Sequence, residues 1–436
     1  MRKPFLITAA AAVAIGAGPA VAETVTIATV NNGDMIVMQK LSSGFEEQHP
    51  DIDLEWVVLE ENVLRQRATT DIATGGGQFD VMTIGTYEVP IWAAQGWLEP
   101  VGELDEGYDI EDVLAPVRDG LSYEGTLYAL PFYAESSMLF YRRDLFEEAG
   151  IEVPEQPNWQ DVRGWAEQLH APDNELYGIC LRGKPGWGEN MAFVTTLVNT
   201  FGGQWFNNDW QPQLDSQPWQ EAVGFYVDLL GNYGPPGASS NGFNENLALF
   251  STGKCAMWID ATVAAGMLFN PAQSQVADKL GFAQAPVDKH PKGSNWLWSW
   301  ALGIPASSDA KDAAKTFVAW ATSKDYIEMV GESEGWVAVP PGTRTSTYER
   351  SEYQDAAPFA GFVLKAIETA DPIDTTAEPK PYSGVQYAGI PEFQAIGTQV
   401  GQMIAAALTG QMPVEQALAA AQRSTERTMQ QAGYPK

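Results

Sequence analysis

Residues 130–162, LPFYAESSMLFYRRDLFEEAGIEVPEQPNWQDV, constrain this chain more than any other stretch. From Leu130 to Tyr141 the run is apolar and aromatic, and Glu135 is its one charged interruption. A lone carboxylate buried unpaired in such a run is costly. Glu135 is therefore expected to sit in a cleft or to face a partner. Tyr141-Arg142-Arg143-Asp144 then opens an amphipathic helix that stops at Gly150. Pro154 and Pro157 break the chain, and Asn158-Trp159-Gln160-Asp161 marks the next helix start.

The ends of the chain bear on its compartment. Met1-Arg2-Lys3 is basic, residues 5–18 are apolar but too short to span a bilayer, and Ala20-Val21-Ala22 is a small-x-small site before Glu23. This pattern predicts a signal peptide over residues 1–22, cleaved after Ala22, and a periplasmic protein. An uncleaved N-terminal anchor is the alternative. The apolar run is not followed by a cysteine, which argues against a lipid anchor, and no later run reaches roughly 18 apolar residues.

Removing that leader also removes Arg2 and Lys3, so 25 basic against 56 acidic residues become 23 against 56, and the net charge moves from −31 to −33. Nucleic acid is excluded as a partner, because phosphate contact needs a basic surface. An anionic solute is disfavoured, and a neutral or cationic small molecule fits better. Export allows Cys180 and Cys255 to pair; two buried free thiols are the alternative.

Along the chain, strands are expected at residues 24–30, 53–59 and 80–84, alternating with helices at 35–48, 61–74 and 90–96. The alternation predicts a mostly parallel sheet with helices on both faces. A hairpin is expected around Glu124-Gly125, and a second α/β unit follows the crossing. Further strands are read at 281–285 and 296–304, further helices at 190–201, 218–230, 309–322, 394–408 and 413–432, and an ordered loop at 371–389.

The order of these segments resembles bacterial extracellular solute-binding proteins of ABC transporters, in the group that binds sugars and polyols. The resemblance rests on Phe79-Asp80-Val81-Met82, the crossing at 130–162, Gly253-Lys254-Cys255-Ala256-Met257 and Leu302-Gly303-Ile304-Pro305-Ala306. Within that group the strings at 181–190 (LRGKPGWGEN) and 381–385 (PYSGV) are most similar to sorbitol/mannitol-binding proteins. The resemblance implies two α/β lobes, each a mostly parallel sheet flanked by helices, with the solute in the cleft between them, an N-terminal lobe of residues 23–133 and 300–345, and a C-terminal lobe of 134–299 and 346–436. It further implies a monomer that closes on a small neutral polyol or sugar and presents it to an ABC permease, with no cofactor.

Polyols offer hydroxyls and hydrocarbon edges but no charge, so a site for them needs planar polar side chains and flat apolar walls. Ten of the fifteen tryptophans lie between Trp187 and Trp336, which directs attention to that third of the chain. Trp296, Trp298 and Trp300 would share one face of a strand; a core face is the alternative, and nearness to the crossing favours Trp298 and Trp300 as ligand walls. Arg182, at the end of an apolar strand and followed by Trp187, is read either as a hydroxyl donor or as a structural partner of Glu189. Trp258 and Asp260 stand two apart after a buried-looking strand. Strand ends are the ligand position in open α/β sheets, which adds Asn31, Asn32 and Tyr87, with turn chemistry the alternative for the asparagines. Glu135 is the strongest candidate, and Tyr133 and Tyr387 complete the set.

The competing reading is a secreted carbohydrate-active enzyme, a glycosidase or lyase using Glu135 and Asp260 as its carboxylate pair. His49, His170 and His290 are scattered without a metal-like cluster, and Gly75-Gly76-Gly77 lacks the Lys-Ser/Thr of a phosphate loop.

Overall fold

The structure is a computed structural model that describes residues 22–435. The expected leader lies outside the described residues apart from Ala22. Ten strands follow in order: β1 Glu23–Val30, β2 Ile52–Leu59, β3 Val81–Gly85, β4 Ser122–Tyr123, β5 Thr126–Leu127, β6 Ala129–Glu135, β7 Ser137–Arg142, β8 Met257–Ala261, β9 Leu280–Gln284 and β10 Trp298–Gly303. They form a five-stranded sheet in the order β2-β1-β3-β10-β6, a three-stranded sheet in the order β8-β7-β9, and the expected hairpin β4-β5.

The first sheet is mixed. β1 runs parallel to β2 and β3, whereas β10 runs antiparallel to both β3 and β6. β3, β6 and β10 are buried along their whole length, which is why they read as continuous apolar runs rather than as alternating patterns. The second sheet corrects the expectation of parallel strands, because β7 is antiparallel to both neighbours. Only Ser136 separates β6 from β7. A parallel connection needs a dozen residues or more, and the chain here passes straight from one sheet to the other. β7 therefore starts at the crossing and runs away from it, while β8 and β9 run back towards it.

The β6–β10 ladder continues through Ala134↔Ser299 and Glu135↔Trp298. Residues 134, 135, 298 and 299 thus belong to the first sheet, past the positions at which the sequence reading divides the lobes. The helix expected over 35–48 is two helices, Gly33–Leu41 and Ser43–Gln48. The break falls at Ser42, whose hydroxyl donates to the Gln39 carbonyl at 2.8 Å and competes with the helical ladder. The other long helices fall within a few residues of their expected bounds, among them Glu61–Thr74, Asn190–Thr200, Lys311–Ala321, Phe393–Leu408 and Val414–Gln431. Residues 371–389 hold no helix or strand. No helix among the described residues is long and apolar enough to cross a membrane.

Tyr177 and Cys180 form single parallel bridges to Cys255 and Trp258, extending the second sheet beside β8. There Cys180 and Cys255 are joined, with Cα atoms 5.9 Å apart and a sequence separation of 75. Closing a loop of that length restricts the unfolded chain and stabilises by about 2–5 kcal/mol. The Cys180→Ala/Cys255→Ala protein is expected to lose that amount in equilibrium denaturant unfolding. Equal midpoints for the two proteins would show that the link contributes nothing.

Candidate functional site

The C-terminal ends of β1, β2, β3 and β6 and the start of β10 meet the start of β7 and the end of β8. Between them lies a cavity of about 180 Å³. Its wall is drawn from both sheets and from the segments that follow their strands, the position expected for a ligand in open α/β sheets.

Glu135 lines the cavity and is 7% exposed. Its carboxylate makes no hydrogen bond within the described chain. Burial holds this carboxyl well above the usual range; Arg182 opposes that shift, and the carboxylates of Asp260, Glu61 and Asp34 add to it. On the opposite strand Trp298 is its register partner. The ring of Trp298 passes over Gly85 so closely that a Cβ there would come within 2.1 Å of it.

Arg182 lines the cavity but is committed elsewhere. Its Nε donates to Asp260 Oδ2 at 2.9 Å, its Nη2 to Asp260 Oδ1 at 2.6 Å, and its Nη1 to the Gly188 carbonyl at 2.9 Å. Asp260 also accepts from Trp258 Nε1 at 3.1 Å and from the Ala261 amide at 2.7 Å. Asp260 is 1% exposed, Trp258 is 0% exposed, and neither lines the cavity. Both were expected to touch ligand. The structure instead places Trp258 among Phe140, Phe243 and Phe250 and makes Asp260 the anchor of Arg182.

Arg65 forms a second buried centre. It donates to Glu61 Oε1 at 3.0 and 2.8 Å and to Glu88 Oε1 at 2.7 Å. Its guanidinium carbon lies 4.0, 4.9 and 4.6 Å from the ring centroids of Trp187, Trp298 and Trp300, within cation–π range. All three indoles line the cavity, as does Trp296. The indole N–H groups of Trp187, Trp296 and Trp298 are buried without a partner.

Asn31, Asn32 and Tyr133 also line the cavity. The Asn32 side chain serves turn chemistry at the same time: its Oδ1 accepts from the Met35 amide at 2.9 Å, and its Nδ2 donates to the Tyr133 hydroxyl at 3.1 Å. Tyr87 and Tyr387 lie outside the lining. The Tyr87 hydroxyl donates to the Ile390 carbonyl at 3.0 Å, that of Tyr387 reaches Thr86 Oγ1 at 3.4 Å, and the two rings pack behind Trp187 and Trp298. They support the wall from behind.

One rim of the cavity is closed by contacts between the two lobes. Lys184 Nζ meets Glu60 at 2.6 Å, and Asn62 Nδ2 donates to the Pro185 carbonyl at 3.3 Å. The loop Gly186-Trp187-Gly188 lies flush on the first turn of the helix Glu61–Thr74. A Cβ at Gly186 would come within 2.4 Å of Asn62 Oδ1, and one at Gly188 within 2.4 Å of Glu61 Oε1.

Residues 32–328 match the profile of the family described as bacterial extracellular solute-binding protein. The chain belongs to that family. It is 61% identical over 415 residues to a mannitol-binding protein of Pseudomonas aeruginosa, an alignment covering 95% of each protein. Its fold matches that of an ABC transporter solute-binding protein of Agrobacterium vitis S4 with bound D-mannitol, at a TM-score of 0.94 and 60% identity, over 95% of this chain and all of that one. A solute-binding protein of Agrobacterium radiobacter K84 in complex with ribitol matches at a TM-score of 0.82 and 25% identity, over 94% of this chain and all of that one.

Within this solute-binding fold, Glu61, Arg65, Glu189 and Gln386 line the cavity although sequence reasoning did not select them. A signal for two of them existed: the strand-end rule, applied to β1 and β3, points equally to the segment after β2, which carries Glu61 and Arg65. Glu189 and Gln386 lie in loops and carry no such signal. Burial, then the Glu61 carboxylate, push Glu189 up to about 8 from 4.5, against Arg182 and Lys184. Between those values the folded protein keeps a proton that the unfolded chain has lost, so this contribution to stability is complete below pH 4.5 and is lost as pH rises through about 8. Glu189→Gln, neutral at every pH, is expected to flatten the fall in stability between about pH 5 and pH 8 in urea unfolding. An unchanged slope would refute this.

Proposed function

We propose that this protein is the receptor of an ABC importer for an acyclic sugar alcohol, with D-mannitol the leading solute. In this reading it is exported with cleavage after Ala22, works in the periplasm as a monomer, and closes its lobes on the solute before delivery to a permease. The lobes comprise residues 23–135 with 298–345, and 136–297 with 346–436, the first boundaries being moved to follow the β6–β10 ladder. The observation that carries the reading is the family relative at 60% identity that holds D-mannitol in the same fold.

The chemistry of the cavity supports it. Flat indoles from Trp187, Trp296, Trp298 and Trp300 can cover C–H edges, and the unpartnered indole N–H groups can donate to hydroxyls. Glu135, Glu189 and the Gln386 carbonyl oxygen, which is buried and unpartnered, can accept from hydroxyls. Closure needs contacts from both lobes, and the lining supplies them. No reaction belongs to this function. The pair invoked for a glycosidase, Glu135 with Asp260, is not assembled around the cavity, because Asp260 is held behind it by Arg182.

A hexitol has roughly 12 heavy atoms, so micromolar affinity, about −8 kcal/mol, asks for about 0.7 kcal/mol per atom, within the usual ceiling. Calorimetry with D-mannitol, D-sorbitol, D-arabitol and xylitol is expected to give a micromolar or tighter Kd for at least one of them. Absence of heat and of any thermal shift with all four would end this reading. Glu135→Gln is expected to weaken binding at least about tenfold with cooperative unfolding retained, through loss of a charge-assisted hydrogen bond. Trp258→Ala, by contrast, is expected to cost about 3–5 kcal/mol of stability, as for a core aromatic.

A further inference from the structure

We infer that the same cavity accepts a cationic polyol, an amino-alditol in which one terminal hydroxyl is replaced by an ammonium, and that the ammonium sits against the Glu135 carboxylate. This rests on the reading of the cavity as a polyol site and extends its ligand class.

The argument is one of charge pairing. Three cations line the cavity, and each is committed to a carboxylate. Arg182 is held by Asp260, Arg65 by Glu61 and Glu88, and Lys184 by Glu60 at 2.6 Å, while Glu189 lies 3.7 Å from Arg182 and 3.5 Å from Lys184. Glu135 is left over: it has no hydrogen bond within the described chain, is 7% exposed and lines the cavity. The charged groups that act on it are Arg182, already paired, and the carboxylates of Asp260, Glu61 and Asp34, and it acts in turn on the Tyr133 hydroxyl of its own strand. Burial without a partner favours the protonated acid at Glu135, and a ligand that brings a positive charge draws that proton off and gains a charge-assisted pair that a hydroxyl does not provide.

The aromatic lining acts in the same direction. Trp298 stands opposite Glu135 in the β6–β10 register, and indole faces attract cations. An ammonium has the same heavy-atom count as the hydroxyl it replaces and donates up to three hydrogen bonds. A charge-assisted N–H···O⁻ bond is roughly twice as strong as its neutral counterpart. A polyol acid, in which a carboxylate replaces the hydroxyl, would meet the acidic side chains of Glu61, Glu135 and Glu189 on the lining with no uncommitted cation and should be rejected.

Calorimetry near pH 7 with D-mannitol and 1-amino-1-deoxy-D-mannitol tests this. The amine is expected to bind the unmodified protein as tightly as D-mannitol or more tightly. In Glu135→Gln the ratio of amine Kd to mannitol Kd is expected to rise at least about tenfold, because the amide keeps the acceptor oxygen and loses the charge. If mannitol binds and the amine does not, the inference is overturned and the polyol reading stands. If neither binds, the polyol reading fails and this inference falls with it. An unchanged ratio in Glu135→Gln overturns the placement of the ammonium. Should that variant not fold, Glu135→Asp, which keeps the charge, is expected to hold the ratio within about threefold of the unmodified protein, and a tenfold rise there would overturn the inference.

Discussion

The buried ion pair between Arg182 and Asp260 is the interaction on which the rest of the site depends. It is bidentate, almost sealed from water and built from residues 78 apart in the chain. Such a pair offers little net stability over a hydrophobic replacement, yet breaking it costs about 3–5 kcal/mol because a charge is left stranded. Its value lies in what it positions. Arg182 uses its remaining reach to bind the Gly188 carbonyl, and its own carbonyl accepts from the Tyr226 hydroxyl at 2.7 Å. The loop that carries Trp187 is thereby held at the height where it meets Glu61 and Arg65 of the other lobe.

From that loop the order passes across the cleft. Trp187 comes to rest on the Arg65 guanidinium, which Glu61 and Glu88 hold in place and on which Trp298 and Trp300 also pack. Glu88 in turn accepts from the Gly85 amide at 3.0 Å, tying the cage to the end of β3. One arginine from the first lobe thus orients three indoles contributed by both lobes. Because each lining cation is spent on other carboxylates, Glu135 faces the cavity without one.

The arrangement is possible because the chain crosses between sheets almost without a linker. β6 ends at Glu135 and β7 begins at Ser137, so a residue placed at this junction cannot retreat into either lobe. Strand direction follows from the same fact. β6, β8 and β9 run towards the junction and β7 and β10 start from it, which gathers strand ends, with their side chains and exposed backbone dipoles, around one volume.

Much of this was legible in the sequence. A single carboxylate in an apolar run is expected in a cleft or against a partner, and tryptophans at every second position are expected to share a face, and Glu135, Trp298 and Trp300 do line the cavity. Strand-end position alone pointed to Asn31 and Asn32, which line the cavity while Asn32 also caps a turn. Depth was not legible. Trp258 and Asp260 obey the same strand-end rule and share a face, yet one lies among phenylalanines and the other is captured by an arginine from a distant loop. The strand-end rule reaches the segment that carries Arg65, but nothing local shows that three indoles, far away in the chain, would surround it. Sequence alone therefore determined where most strands and helices lie and that Glu135 belongs at a cleft or a partner, since periodicity and the cost of burying charge are local. Only the tertiary structure decided which cation is spent on which carboxylate, because pairing depends on distances between segments that the fold alone brings together.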